Sequence, residues 1–500
     1  MRNFVVIGGG TAGWFAALEL RRLFGQPASI TVIESPRTRV MSIGEGGILI
    51  VPQALKRYGI SEDDFMKATG AAYKLGFQYI GWNTGREDDV YYHLFHRVPE
   101  ADIVNGIPVN WAMLAANGVG VHYAIDSLPL ILRNAAQEEI RAARAKAGAD
   151  HFPASFHFDV QRVAAYLKQV AMARGVRLLE ANVNHLERDG ESGFVRGIRI
   201  DGQEAALPVD FLIDASGFSR IALGKTYNEP MRSYTKYLRH DRALTFYIPP
   251  TSKNPHLVTR ALAMDAGWMF QIPVHDAQGQ ERISCGYIHS SAHLSADAAH
   301  AEIEKRLGCK IDPLPMMHFD AKHFERVWVG NVMAVGLASG FIEPLESASI
   351  GQMLGQMMTF GELVGRSAYI VPELAINTFN QRNQIDWHGI ADYLCLRYDV
   401  KRRDTPFWRD VATQVFPATY VSLKNCWQYR LPRPIDMATH AIGNLPHFPS
   451  TSWMAAGQGT GVVPMQAAAA DLASLPSERM LEANKFLASV RSRFGLGTPA

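Results

Sequence analysis

A mixed α/β fold in more than one lobe is predicted by three features of the 500-residue chain. The N-terminus runs from an apolar strand through a glycine turn into a helix with an apolar stripe. A second apolar strand ending in an acid, "VDFLID", appears about 200 residues later. The length exceeds what one hydrophobic core holds, so an added lobe is expected. With 47% hydrophobic and 20% charged residues and a net charge of +2, the chain reads as ordinary globular protein, and neither nucleic acid nor an anionic membrane is expected as a partner.

In "NFVVIGGGTAGWFAALELRRLFG" a buried strand, Phe4 to Ile7, leads into Gly8, Gly9, Gly10, Thr11, Ala12 and Gly13. Gly8, Gly10 and Gly13 fit G-x-G-x-x-G: a tight turn, close approach of backbone to a pyrophosphate, and close packing of helix on strand. The helix N-terminus presents free N–H groups and a partial positive charge to the phosphates. The next strand, "SITVIES", ends in Glu34, placed about 20 residues on to accept hydrogen bonds from ribose hydroxyls. At this point the dinucleotide is FAD or NAD. The later stretch "VDFLIDASGFSR", with Asp214, Ala215, Ser216 and Gly217, resembles the returning strand of FAD-dependent monooxygenases. That resemblance implies FAD in a Rossmann-like, monooxygenase-type domain with an interleaved substrate-binding lobe.

"AAYKLGFQYIGW", residues 71–82, has the period-two pattern of one half-buried strand. Tyr73, Leu75, Phe77 and Tyr79 would point one way, and Lys74, Gly76 and Gln78 the other. Alone, Lys74 reads as a solvated lysine, because burying its charge is costly.

Further motifs change that reading. "GGGTAGW", "SIGEGG", the Lys74 strand, "YYHLF", "GWMFQIP", "FIEPLES" and "RRDTPFW" occur in the order seen in flavin-dependent tryptophan halogenases, and the chain is identified as a member of that family. In the family, FADH2, oxygen and a halide, chloride or bromide, yield hypohalous acid, which travels through a tunnel to a lysine beside the aromatic substrate. Lys74 matches that lysine, and an amine there can capture the oxidant by hydrogen bonding or as a haloamine. Glu346 matches the essential glutamate, whose carboxylate could polarise the oxidant or take the ring proton. Ala348 and Ser349 stand where the family holds halide on the backbone amides of a Thr-Gly pair. Leu337 and Ile350 resemble positions at the flavin ring, and Gly9, Thr11, Ala12, Ser35, Glu45 and Gly46 match other cofactor contacts. Trp268, Ile272 and Pro273 match a tunnel signature in which Phe270 replaces a second tryptophan. His93 and Phe95 match residues that sandwich the indole, with Ser347 beside them.

The acidic, tyrosine-bearing lid that grips free tryptophan is not recognisable in "NLPHFPSTSWMAAGQGTG", where Trp453 is the only tryptophan and is expected to contact the substrate. The expected substrate is therefore indole, a substituted indole or a larger indole-bearing molecule, with free L-tryptophan a poor one. The resemblance also implies a separate flavin reductase that supplies FADH2 by diffusion, and it admits a homodimer. An aromatic hydroxylase is the alternative enzyme, and a non-catalytic flavin-binding protein a third reading.

The expected division puts the FAD-binding and halogenation core at 1–82 and 150–350, and a mainly helical substrate lobe at 83–149 and 351–500. "INTFNQRNQIDWHGIADYLCLRYDV" reads as a long structural helix on the far side of the active site. Cys285, Cys309, Cys395 and Cys426 are widely spaced, so neither a disulfide nor a metal site is expected. "MRNFVVIGGG" enters a strand without the regions of a signal peptide, and no apolar run is long enough to span a membrane. The expected location is the cytoplasm.

Overall fold

The computed structural model of the protein describes residues 3–38, 43–364, 371–440 and 447–497. Ser42 of "SIGEGG" and residues 444–446 of the expected lid region lie outside them. Strand β1 (Asn3–Ile7) is followed by helix α1 (Thr11–Phe24) and strand β2 (Ser29–Glu34). The two strands belong to a six-stranded sheet in the order 177–180, β2, β1, 211–214, 332–334 and 328–329. Every pairing in it is parallel except the last. Its strands are nearly continuous apolar runs, as required of parallel strands covered on both faces. Trp14, Phe15 and Leu18 of α1 are buried against it, as are Met353, Met357 and Phe360 of the helix Ala348–Val364. The expected boundary at residue 350 thus falls inside a helix that shares the nucleotide-sheet core.

A seven-stranded sheet forms the second layer, ending in the strands Thr259–Met264, β5 (Gly76–Ile80) and β6 (Val90–Leu94). β5 and β6 pair across the expected boundary at 82, with Phe77 opposite His93. A small three-stranded sheet, in which Ser155–Asp159 lies between β3 (Gly44–Gly46) and β4 (Ala72–Lys74), connects the two layers. Helices from Glu373–Tyr398 to Ser477–Phe494 close a second core around Trp387, Trp408, Trp427 and Trp453.

The stretch 71–82 is not one strand. β4 and β5 belong to different sheets and break at Leu75, whose N–H donates to Leu257 O at 2.7 Å. Gly76 has φ +144°, and a Cβ there would lie 2.4 Å from His93 O. Only glycine takes this backbone so close to β6. The break resets the alternation, so Lys74, Phe77 and Tyr79 converge on one side instead of separating.

All four cysteines are free. Among the described residues no helix is long and apolar enough to cross a membrane, and no cluster of side chains is arranged to hold a metal.

Candidate active site

At the nucleotide end the glycines fit a pyrophosphate. A Cβ on Gly8 (φ +116°) would lie 2.2 Å from Ala215 O, and one on Gly13 would lie 1.9 Å from Gly8 O. Around Gly10 there is open space, with nothing within 4 Å of a Cβ built there. It caps α1 without a side-chain bond, and the first turn carries no acid, leaving N–H groups for an anion. A Cβ on Gly9 would meet the Glu34 carboxyl at 2.5 Å, so glycine there lets this carboxylate come up beneath the turn. Glu34 also takes a 2.8 Å ion pair from Lys168. These residues fit FAD.

Asp214 is spent on the fold: it accepts from Ser216 N at 3.0 Å and Ala222 N at 2.7 Å. It shapes the cofactor turn through backbone, with both oxygens engaged. Ser35 donates to Asn182 Oδ1 at 2.6 Å. Gly336, beside Leu337, brings its backbone to Ala12, 3.0 Å from a Cβ position. Leu337 is half-buried and Ile350 buried.

Lys74 is fully buried. Its Nζ donates to Ser347 Oγ at 3.0 Å and lies 3.7 Å from the centre of the Phe77 ring and 5.8 Å from that of Phe95. A Cβ on Gly46 would be 2.6 Å from this nitrogen, so strand β3 can pass the amine only as glycine. Burial pushes the Lys74 amine well below its usual value, while the Glu346 and Glu45 carboxylates pull the other way. Burial raises the Glu45 carboxyl to about 7, against the attraction of Lys74.

Glu346 and Ser347 are consecutive non-glycine residues in the left-handed region, φ 62° and 54°. Such strain persists only where the surroundings enforce it. The enforcing contacts on Glu346 are explicit: Oε1 accepts from Tyr79 Oη and Arg397 Nη2, and Oε2 from His93 Nδ1 at 2.9 Å. Burial would raise this carboxyl, but Arg397, His93 and Tyr79 hold it down at about 2.

Arg397 is itself fully buried between the Tyr79 and Tyr393 rings, 4.5 and 5.1 Å from their centres. It is a site residue that the sequence reading missed. Its helix, Glu373–Tyr398, was expected on the far side of the active site, but its C-terminal turns supply Arg397 and Tyr393 to the site. An arginine in the apolar stretch "YLCLRY" was the available signal, because a buried guanidinium requires a carboxylate partner.

His93 stacks on Phe77 at 6.1 Å and 12°, and Phe95 meets Phe77 edge-on. Trp453 is 1% exposed, packs edge-on to Tyr393 and donates its indole N–H to Phe448 O at 3.2 Å. It supports Tyr393 from behind. Ala348 and Ser349 open the helix Ala348–Val364, where the first N–H groups have no partner within the helix. Phe270 lies over Gly286, and Trp268 is buried beside Trp82. Pro273 falls beyond Gln271, the last residue paired with 259–264, so its missing N–H leaves no partner unpaired on that side.

A nucleotide sheet joined to a buried lysine beside a carboxylate defines a flavin-using oxidoreductase of the halogenase class. Residues 3–474 match the tryptophan halogenase family model, and the chain belongs to that family. It is 37% identical over 487 residues to an uncharacterized protein, y4xG, of Sinorhizobium fredii, covering 96% of this chain and 94% of the other. It is 29% identical over 432 residues to tryptophan 7-halogenase RebH of Lentzea aerocolonigenes, covering 81% and 78%. Among solved structures it resembles Xcc4156, a flavin-dependent halogenase from Xanthomonas campestris, with a TM-score of 0.81, 26% identity and coverage of 98% and 94%.

Proposed function

We infer that this flavin-dependent halogenase acts on an indole-type ring other than free L-tryptophan, with Lys74 as the residue that presents the halogenating species. The observation that carries this is the Lys74 amine: wholly buried, its protonation opposed by burial, and placed between Ser347 Oγ and the Phe77 face. Such an amine has no folding role to offset its desolvation.

FAD, when bound and reduced, supplies the two electrons that turn oxygen and halide into hypohalous acid. The chain's residues do the rest. The glycine turn and α1 hold the pyrophosphate, and the N-terminal amides at Ala348 and Ser349 are suited to a halide. Lys74 Nζ captures the oxidant, and Phe77, His93 and Phe95 orient a flat electron-rich ring against it. Burial excludes water that would compete for the oxidant. The absence of a recognisable amino-acid clamp near Trp453 supports indole over tryptophan. FADH2 reaches the protein from a separate reductase.

The test is mass spectrometry of indole and of L-tryptophan incubated with the protein, FAD, a flavin reductase, NADH, and chloride or bromide. A halide-specific mass gain on indole exceeding that on tryptophan is expected. Faster turnover of L-tryptophan overturns the substrate assignment. A halide-independent gain of oxygen would make the enzyme a hydroxylase.

A further inference from the structure

A second carboxylate stands three residues before Glu346. Glu343 is 1% exposed, its Oε1 accepts from Tyr398 Oη at 2.6 Å, and its Oε2 lies 2.7 Å from His240 Nδ1. Among the described residues no lysine or arginine pairs with it. Burying a carboxylate without a guanidinium or ammonium is costly, and an apolar residue would pack here without that cost. Burial, and next the Glu343 charge, push the Tyr398 phenol well above its usual value, so its proton stays in place to be donated. His240 is held in turn between the Tyr398 and Phe407 rings, 5.2 Å from each, which ties the "RRDTPFW" stretch to this carboxylate.

The loop shows what the carboxylate secures. Glu346 and Ser347 are both left-handed, and such a pair relaxes unless the chain is fixed on either side. Downstream it runs into the helix Ala348–Val364, packed in the nucleotide-sheet core. Upstream, Phe341, Ile342, Pro344 and Leu345 have no polar side-chain atom, so Glu343 is the one hydrogen-bonding side chain of that arm. Its partner Tyr398 directly follows Arg397, which holds Glu346. Adjacent residues at the end of one helix thus grip carboxylates three positions apart, and the next residue, Ser347, accepts from the Lys74 amine at 3.0 Å.

We propose that Glu343, gripped by Tyr398 and His240, is a positioning residue for halogenation: it holds the strained Glu346–Ser347 turn and so fixes the Glu346 carboxylate and the Ser347 hydroxyl relative to the Lys74 amine. The inference rests on halogenation as the reaction proposed above. When the grip is lost, the turn relaxes, Ser347 Oγ leaves the amine, and oxidant that still forms escapes instead of reaching the ring.

The experiment is bromination of indole by the FAD-loaded enzyme with reductase, NADH, bromide and catalase, with and without excess methionine, which consumes oxidant that leaves the protein. Two quantities are read: total oxidant, as methionine sulfoxide formed without indole, and the fraction of bromoindole that survives methionine. Glu343→Gln keeps the volume but replaces one acceptor oxygen with an amide donor, and Tyr398→Phe removes a single hydroxyl. Each should lower the surviving fraction by about 10- to 100-fold while total oxidant and FAD affinity are retained. The double variant should lose no more than the worse single one, because the two residues act as a unit. A pair that only packs would lower Tm without moving this fraction. An unchanged fraction, additive losses in the double variant, or a loss of total oxidant as large as the loss of product would overturn the proposal. Should Glu343→Gln not fold, the fraction in Tyr398→Phe decides. A wild type that makes no bromoindole would instead refute the function proposed above.

Discussion

Replacing Arg397 with methionine removes the guanidinium from the Glu346 carboxylate and leaves a charge wholly buried beside Tyr79 and His93. Breaking a buried pair in this way costs about 3–5 kcal/mol. An unfolding entropy of about 2.1 cal/mol/K per residue over 500 residues is roughly 1 kcal/mol/K, so Tm should fall by about 3–5 °C near neutral pH. The loss should depend on pH in a definite direction. In the wild type Glu346 is held at about 2, below an unfolded value of about 4.3. Its contribution is complete above the unfolded value and disappears as pH falls toward 2. In the variant, burial is no longer countered by Arg397, so the carboxyl rises above its unfolded value and the fold loses stability as pH increases. Thermal unfolding at pH 5 and pH 8 should therefore show the larger gap between wild type and Arg397→Met at pH 8. Equal Tm values for the two proteins, or a gap independent of pH, would refute the idea that Arg397 fixes the charge on Glu346.

Lys74→Met should abolish halogenation while hypohalous acid still escapes to a trap, and it should raise Tm. The burial penalty on the amine operates below its unfolded value of about 10.4, so differential scanning calorimetry should find a larger gain at pH 7 than at pH 11. Gly46→Ala places a methyl 2.6 Å from Lys74 Nζ and 2.8 Å from Thr259 Oγ1; product formation should fall by about 10²-fold as the amine is displaced, with flavin fluorescence titration still reporting FAD binding. Gly10→Ala should leave the thermal unfolding of the flavin-free protein unchanged yet weaken FAD binding, because its methyl enters ligand space. Gly8→Ala should lower stability even without flavin, since its methyl meets Ala215 O at 2.2 Å.

The glycine turn was legible because its geometry is local: strand, turn and helix lie within about 20 residues, and each glycine answers to a neighbour in that unit or to the adjoining strand. Lys74 and Glu346 were found through motif order, not through their surroundings. Nothing near residue 76 in the sequence announces that β6 crosses close enough to demand φ +144°, so period-two reasoning ran straight through the break. Arg397 was missed because the sequence places it about 50 residues from Glu346, and only packing shows that the carboxylate it needs lies on another element. Trp453 shows the converse. It was expected to contact the substrate, but the helix Ser450–Thr460 directs it into the second core, behind Tyr393.

The interruption at Gly76 also separates two kinds of evolutionary change. Lys74 is anchored through β4 to the strand Ser155–Asp159, which on its other edge pairs with Gly44–Gly46, whereas Phe77, His93 and Phe95 ride on or directly after the paired strands of the neighbouring sheet. Mutations that reshape the aromatic wall can accumulate without disturbing the backbone that carries the amine. With Lys74 in the role proposed above, substrate range can diversify under selection while oxidant capture is inherited unchanged, and directed libraries confined to β6 and the residues just after it should retain the halogenating step far more often than libraries that include β4.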